Sequence, residues 1–321
     1  MAPDGHIRLF REDDARPVAD LMRRLVPQYL VTPALILHWL RSAPERAHSR
    51  LWVAEVEGRV VGLAWVDLKW WAADPGIGSI FLLIDTPSRR RGLGSALYDA
   101  AERHLLDHGA WKLEAQVVDD DGRRFAERRG YHETRRERLS QLDVPTADLS
   151  ELPELAAAKA AEGVRVVPLR DLVSRARELH ALYEEAAKDM PTDDPHGDVD
   201  FDEWERETLG NPLLDAEGSM NVLDGDRPVA FAWLLVDREG GRAVHELTGT
   251  LRAYRGRGLA RLAKLAAIEW CREHGIRTLL TGNDTENAPM LAINDRLGYR
   301  PTVVDAEYVR VVGDPPAGGA R

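Results

Sequence analysis

One cysteine in 321 residues, Cys271, leaves no room for a disulfide framework or a cysteine-based zinc cluster. Such scarcity fits a reducing compartment, so a cytoplasmic protein is expected. The sequence also lacks any apolar run near the ~18 residues that span a bilayer, and it opens without a signal-like apolar stretch. Neither membrane insertion nor secretion is expected. Positive charge is short as well. Lys and Arg number 43 against 54 Asp and Glu, a formal net charge of −11 that argues against nucleic-acid phosphates as the partner and suits a cationic small molecule. His245 and Cys271 have no companions at metal-ligand or nucleophile spacing, so both read as structural and no metal is expected.

What the sequence does contain is a repeated loop. Arg89-Arg90-Arg91-Gly92-Leu93-Gly94-Ser95 and Arg255-Gly256-Arg257-Gly258-Leu259-Ala260-Arg261 both read Arg-x-x-Gly-x-small and start 166 residues apart. An apolar strand-like run precedes each and an amphipathic helical run follows. A Gly-Tyr pair closes each unit, Gly130-Tyr131 and Gly298-Tyr299, 41 and 43 residues after the leading Arg. A period this long means duplicated domains, since solenoid repeats run to about 20 to 50 residues.

The flanking pattern places a first domain at 1–145 and a Pro-, Ala- and Glu-rich linker at 146–162, with room for a turn or two of helix. A second domain at 163–312 and a disordered tail at 313–321 follow. Each domain reads strand, two helices, hairpin, strand, loop and helix, strand, short helix, strand. In the second domain the helices are expected over 171–188 and 201–209.

A strand turning through glycines into a helix presents unpaired N–H groups at a positive helix end, which suits a pyrophosphate. The dinucleotide fingerprint and the P-loop both fail here, because Leu97 and Ala263 stand where the first needs a third glycine in its own context and no Gly-Lys-Ser/Thr follows.

On these residues both halves resemble the GNAT superfamily of N-acetyltransferases. The resemblance implies an α/β fold of the α+β type: two tandem GNAT folds, each a mixed, mostly antiparallel twisted sheet flanked by helices and splayed between strands four and five. It implies acetyl-coenzyme A as cofactor, its pyrophosphate on Arg89 to Ser95 in one unit and on Arg255, Gly256, Arg257, Gly258, Leu259 and Ala260 in the other. The pantetheine arm would lie along Leu82 to Ile84 and Thr248 to Thr250. Asn287, in the Asn-rich run that starts at Asn283, matches the family's cofactor-side helix start.

The reaction implied is direct acetyl transfer to a small-molecule amine. Glu246 is the expected general base, acting through water, and only the second unit has such a carboxylate, because Ser79 and Ile80 fill that stretch of the first. Many family members place a Tyr four residues before the closing Gly as acid toward the thiolate; Asn294 and Ala126 stand there, so Asn294 is expected to hydrogen-bond sulfur or pantetheine instead. The six aspartates between Asp189 and Asp202 lie where the family walls its acceptor site, and would suit an amine. Trp70-Trp71 reads as packing. A monomer or homodimer is expected. The layout is also similar to that of the mycothiol synthases, tandem members that acetylate a cysteinyl amine. A non-catalytic acyl-coenzyme A sensor and a protein-acetylating enzyme stay open as alternatives.

Overall fold

The computed structural model describes residues 5–316, so the end of the expected tail, 317–321, lies outside the described residues. In chain order the elements are β1 (His6–Leu9), α1 (Ala15–Leu25), α2 (Pro33–Ser42), β2 (Arg50–Val56), β3 (Arg59–Leu68), β4 (Ile77–Ile84), α3 (Leu93–Asp107), β5 (Lys112–Val117), α4 (Asp120–Glu127), β6 (His132–Asp143), α5 (Leu152–Ala161), β7 (Val164–Pro168), α6 (Ala176–Ala187), α7 (Phe201–Trp204), β8 (Met220–Asp224), β9 (Arg227–Asp237), β10 (Arg242–Thr250), α8 (Leu259–Glu273), β11 (Thr278–Asp284), α9 (Ala288–Arg296) and β12 (Arg300–Val311). They form two compact units: Met1–Glu137 with Asp194–Gly197 and Val304–Arg321, and Arg138–Asp193 with Asp198–Val303.

In the first unit α1 buries Val18, Ala19, Leu21 and Met22, a helical stripe that packs with Leu51, Val53 and Leu63 of the sheet. Thr32 caps α2 by accepting from the Leu35 N–H at 3.1 Å, with Pro33 in the first turn. The β2–β3 hairpin closes through Glu57 and Gly58, both at positive φ (49° and 74°), the two-residue geometry that matches strand twist. The strands run β1-β2-β3-β4-β5 and are completed by the end of β12, whose Ala306 to Val311 pair antiparallel with Val117 to Lys112.

The second unit runs β6-β11-β10-β9-β8-β7, with the last residues of β6 between β11 and the start of β12. Sequence reading groups 138–145 with the first half and 304–312 with the second, whereas the units group residues 138–143 and 304–312 the other way. The physical reason is an edge. Once a fifth strand leaves the fourth it has one bare side, and a strand from the far end of the chain covers it.

α5 lies within the expected linker, and the helix expected at 171–188 begins only at Ala176, after two 3-10 turns. The helix expected at 201–209 is α7 followed by a π-helical turn, Glu205–Leu209. β9 is buried along Pro228 to Asp237, and α8 fills its inner face with Leu262, Leu265, Ala267 and Ile268. Behind β10, a side chain at Gly249 would place its Cβ 2.5 Å from Cβ of Ala186 and 2.7 Å from the Phe231 ring. Gly249→Ala is therefore expected to cost about 1–3 kcal/mol, read as a lower urea midpoint at unchanged m-value.

Candidate active site

In both units the fourth and fifth strands start as a parallel pair and then part. β4 and β5 pair from Ile77↔Lys112 to Ile80↔Ala115, and β4 continues alone to Ile84. β10 and β11 pair from Arg242↔Thr278 to Val244↔Leu280. There β10 also carries a bulge against β9, between His245 and Thr248, and Glu246 sits in it. A bulge re-aims side chains, and Glu246 keeps an exposed surface there. β4 pairs with β3 in unbroken register.

The loops that follow are built alike. α3 and α8 each start on a left-handed glycine, Gly92 (φ 85°) and Gly258 (φ 79°), and neither start has a side-chain cap. A Cβ at Gly92, Gly256 or Gly258 would meet no atom within 4 Å, so open space faces the uncapped N–H groups. Arg89 and Arg255 do not point at that space as free cations. Each donates Nε to the last carbonyl of its strand, Ile84 (3.1 Å) and Thr250 (3.2 Å), and pairs with a carboxylate, Asp119 (2.8 Å) or Asp189 (2.5 Å). Arg257 pairs with Glu162 at 3.2 Å. Arg90, Arg91 and Ser95 are exposed, and the Ser95 hydroxyl accepts from Arg129 at 3.0 Å. Leu93 and Leu259 are buried anchors of their helices, while Gly94 and Ala260 stay half-exposed on the first turn.

In the first unit the splay opens a cleft of about 550 Å³, lined by Leu82, Ile84, Arg89, Gly92, Gly94 and Tyr98 among others. On the opposite face of the same strands the sheet is plugged by charge. Lys69 pairs with Glu114, with Asp194 at 3.0 Å and with Glu307 at 3.4 Å, and Lys112 pairs with Asp194 and with Glu114 at 2.7 Å. Glu114, Asp194 and Glu307 offer oxygens within 4.8 Å of one another, but the two ammoniums balance them. Asp67 on β3, opposite Ser79, is pushed up to about 7 by burial, and burial raises the Asp194 carboxyl as well. Trp71 stacks on His196 at 5.5 Å, and the Arg46 guanidinium lies 5.7 Å from the centre of the Trp70 ring.

In the second unit Glu246 has a solvent-facing surface yet is hemmed in by protein. Loss of hydration, then the Glu207 carboxylate, pushes its carboxyl up to about 7. Tyr183 of α6 shares the field of Glu246, Glu207 and Glu184, and its hydroxyl is raised by burial first and those charges second. Its ring lies 5.9 Å from Trp204, 6.1 Å from Trp233 and 6.4 Å from Phe231, an aromatic wall beside three carboxylates. Trp204, Trp233 and Phe231 are buried, so the half-buried Tyr183 is the ring of this cluster that an amine can meet. The π-helical turn supplies Glu207, a placement common at functional sites.

The expected acidic loop is not that wall. Asp189 is held by Arg252 and Arg255, Asp194 lies in the charged plug of the first unit, Asp198 pairs with Lys188, and Asp200 caps α7. Four of the six aspartates thus already have a cation or a helix end. Thr248 and Thr250, on β10 beyond its pairing with β11, have buried hydroxyl oxygens with no hydrogen-bond partner. Asn287 caps α9 through the Met290 N–H at 3.3 Å. Asn294 is 1% exposed, donates to Asn283 at 2.5 Å, and leaves its Oδ1 unpartnered. Sequence reading missed Tyr183, Glu207 and Lys264. Of these only Lys264 left a signal, as a lone lysine on the apolar stripe with Ala267, Ile268 and Cys271.

The residues fit an acyl-coenzyme A. Open glycine cradles stand at two helix starts, and orphaned hydroxyls lie along the second splayed strand. No helix among the described residues is long and apolar enough to cross a membrane. The family model described as "Acetyltransferase (GNAT) family" matches residues 17–131 and 179–299. Among curated proteins, a mycothiol acetyltransferase of Kytococcus sedentarius is 27% identical over 96% of this chain and 99% of its own. Another from Saccharomonospora viridis is 28% identical over 78% and 79%. Among solved structures, a tandem GNAT protein from the clavulanic acid biosynthesis pathway superposes with TM-score 0.74 at 22% identity, over 97% of this chain and 99% of that one. A GCN5-related N-acetyltransferase from Sphaerobacter thermophilus gives 0.71 at 16%, over 99% of both. Two loops of one kind, two splayed sheets and a match through both halves place the chain in the GNAT family, as a tandem N-acetyltransferase.

Proposed function

We propose that the second unit transfers acetyl from acetyl-coenzyme A to the amine of a small molecule, with Glu246 as general base. The observation that carries this is Glu246 itself, in the bulge where β10 leaves β11, with its carboxyl pushed up to about 7 beside Glu207 and Tyr183. An alkylamine is protonated below a pKa of ~10.4 and must lose a proton to attack. A carboxylate at about 7 takes that proton, directly or through one water, while Glu207 and the Tyr183 ring hold the amine. The bound cofactor supplies the activated carbonyl. Gly256, Gly258 and the uncapped start of α8 would hold its phosphates, and Thr248 and Thr250 its arm.

The first unit, on this reading, binds the cofactor without transferring acetyl. Its cleft is open, but β4 has no carboxylate and the other face of the sheet is filled by the Lys69 and Lys112 network. A second reading makes the amine precursor of mycothiol the acceptor. The relatives' names favour it, and Asn294 in place of a tyrosine opposes it.

The test is incubation with acetyl-coenzyme A and a panel of small primary amines, that precursor included, followed by mass spectrometry of the amines. An acetylated amine supports transfer and names the acceptor. Cofactor binding with no product from any amine would instead favour a sensor of acyl-coenzyme A.

A further inference from the structure

Under the second splay lies a set of buried polar groups that the base mechanism does not use. Lys264 on α8 is 1% exposed, and its ammonium sits 5.1 Å from the centre of the Tyr299 ring. No carboxylate reaches it among the described residues, and burial lowers it to about 7. His245 on β10, its ring 6.2 Å from that of Tyr299, has neither nitrogen hydrogen-bonded and is kept neutral by burial, then by Lys264. The Tyr299 hydroxyl and Asn294 Oδ1 are orphaned too.

The duplication shows where this set points. Lys264 lies six residues after Gly258, as Tyr98 does after Gly92. Tyr299 follows the closing glycine as Tyr131 does, and Asn294 matches Ala126. His245 pairs with Leu234 one strand over, as Ile80 does with Val66. All four first-unit residues line the 550 Å³ cleft. There the polar atoms satisfy each other, Tyr98 with Tyr131 at 3.1 Å and Arg310 with Tyr98 at 3.0 Å. In the second unit they do not. A helix rises ~1.5 Å per residue, so Lys264 is roughly 8 Å below the anion-binding start of α8, at the level where the strands part. Groups left unpaired at that depth need a ligand atom, and three of the four can donate.

We propose that Lys264, with Tyr299 and His245 around it, receives the negative charge of the leaving thiolate as an ammonium. This rests on the second unit being the one that turns over. The acceptor nitrogen bonds to the acetyl carbon, Glu246 takes the proton that nitrogen gives up, the carbon–sulfur bond breaks, and the sulfur leaves as a thiolate paired with the Lys264 ammonium. Water protonates the thiolate once coenzyme A departs.

A buried lysine without a counter-charge is costly to stability, so its presence needs a use. The groups facing it are His245 from β10, Tyr299 after α9 and Cys271 on α8, whose thiol burial pushes up to about 12. None supplies a negative charge near neutral pH.

The test needs no acceptor. Affinities of coenzyme A and of desulfo-coenzyme A are measured by calorimetry from pH 6 to 9 on chains carrying Gly92→Glu, so that only the second unit reports. A thiol of reference pKa ~8.5 that is stabilised as thiolate by Lys264 gains about tenfold in affinity over the desulfo analogue for each unit its pKa falls. Lys264→Met should erase that preference while leaving desulfo-coenzyme A binding intact. It should also raise the melting temperature more at pH 7 than at pH 10, because the native state alone must give up a proton between about 7 and 10.5. Lys264→Gln serves if the Met variant folds poorly. A thiol preference equal in wild type and both variants overturns the role of Lys264. A thiol preference lost with Gly92→Glu and kept with Gly258→Glu overturns the choice of unit instead.

Discussion

Glu246→Gln is expected to lower kcat/KM by about 100-fold or more, the usual scale for losing a general base, and to abolish the acidic limb of the pH profile. The sign follows from the direction of the shift. A base must be ionised, so turnover rises with pH through about 7 in the wild type and becomes flat there in the variant. Stability moves the other way. The native carboxyl holds its proton to a higher pH than the unfolded one, whose model value is 4.5, so the native state loses stability as pH rises from 4.5 toward 7. Glutamine should therefore be the more stable residue at pH 7.5. Loss of rate together with a gain in melting temperature is the signature of a functional carboxylate. Asp67→Asn is the control, since Asp67 has a similar environment in the first unit. It is expected to leave kcat/KM within about twofold.

Gly258→Glu should remove cofactor binding from the second unit altogether. Gly258 holds φ at 79° where α8 begins, and the space beside its Cα is open. A glutamate there is strained by that φ and puts a carboxylate where phosphate would sit, against the same N–H groups. Strain and like-charge repulsion add, so an affinity loss of at least about 100-fold is expected, some 2.8 kcal/mol. Melting temperature without cofactor should fall only by the equivalent of the ~1–2 kcal/mol that a left-handed φ costs a residue with a Cβ, because the side chain itself enters open space. Isothermal titration with acetyl-coenzyme A should then report one site where the wild type reports two.

The loops were legible because their constraint is local. Gly92, Gly258, Gly130 and Gly298 each take a positive φ that few other residues tolerate, so spacing alone marks them. The strand before each loop and the helix after it follow from a change of hydrophobic period. Long-range pairings were not legible. The last residues of β6 and β12 have ordinary strand alternation, and nothing in Ala306 to Val311 names β5 as their partner. The six-aspartate run failed as a site for the same reason. Asp194 and Asp189 are answered by Lys69, Lys112, Arg252 and Arg255, residues far away in sequence. His245 was read as structural because it has no companion in sequence. Its companions, Lys264 and Tyr299, come from a helix and a strand that only folding brings together. Glu246 was found by resemblance, while its elevated proton affinity comes from packing and from Glu207 on a π-helical turn.

The most direct test of the central claim, that the second unit carries out transfer, is thiol release from acetyl-coenzyme A in the presence of an accepted amine, measured side by side for wild type, Gly92→Glu and Gly258→Glu. The account predicts that Gly258→Glu abolishes release while Gly92→Glu retains it. Release that survives in Gly258→Glu and disappears in Gly92→Glu would contradict it, and would move the chemistry to the cleft between β4 and β5.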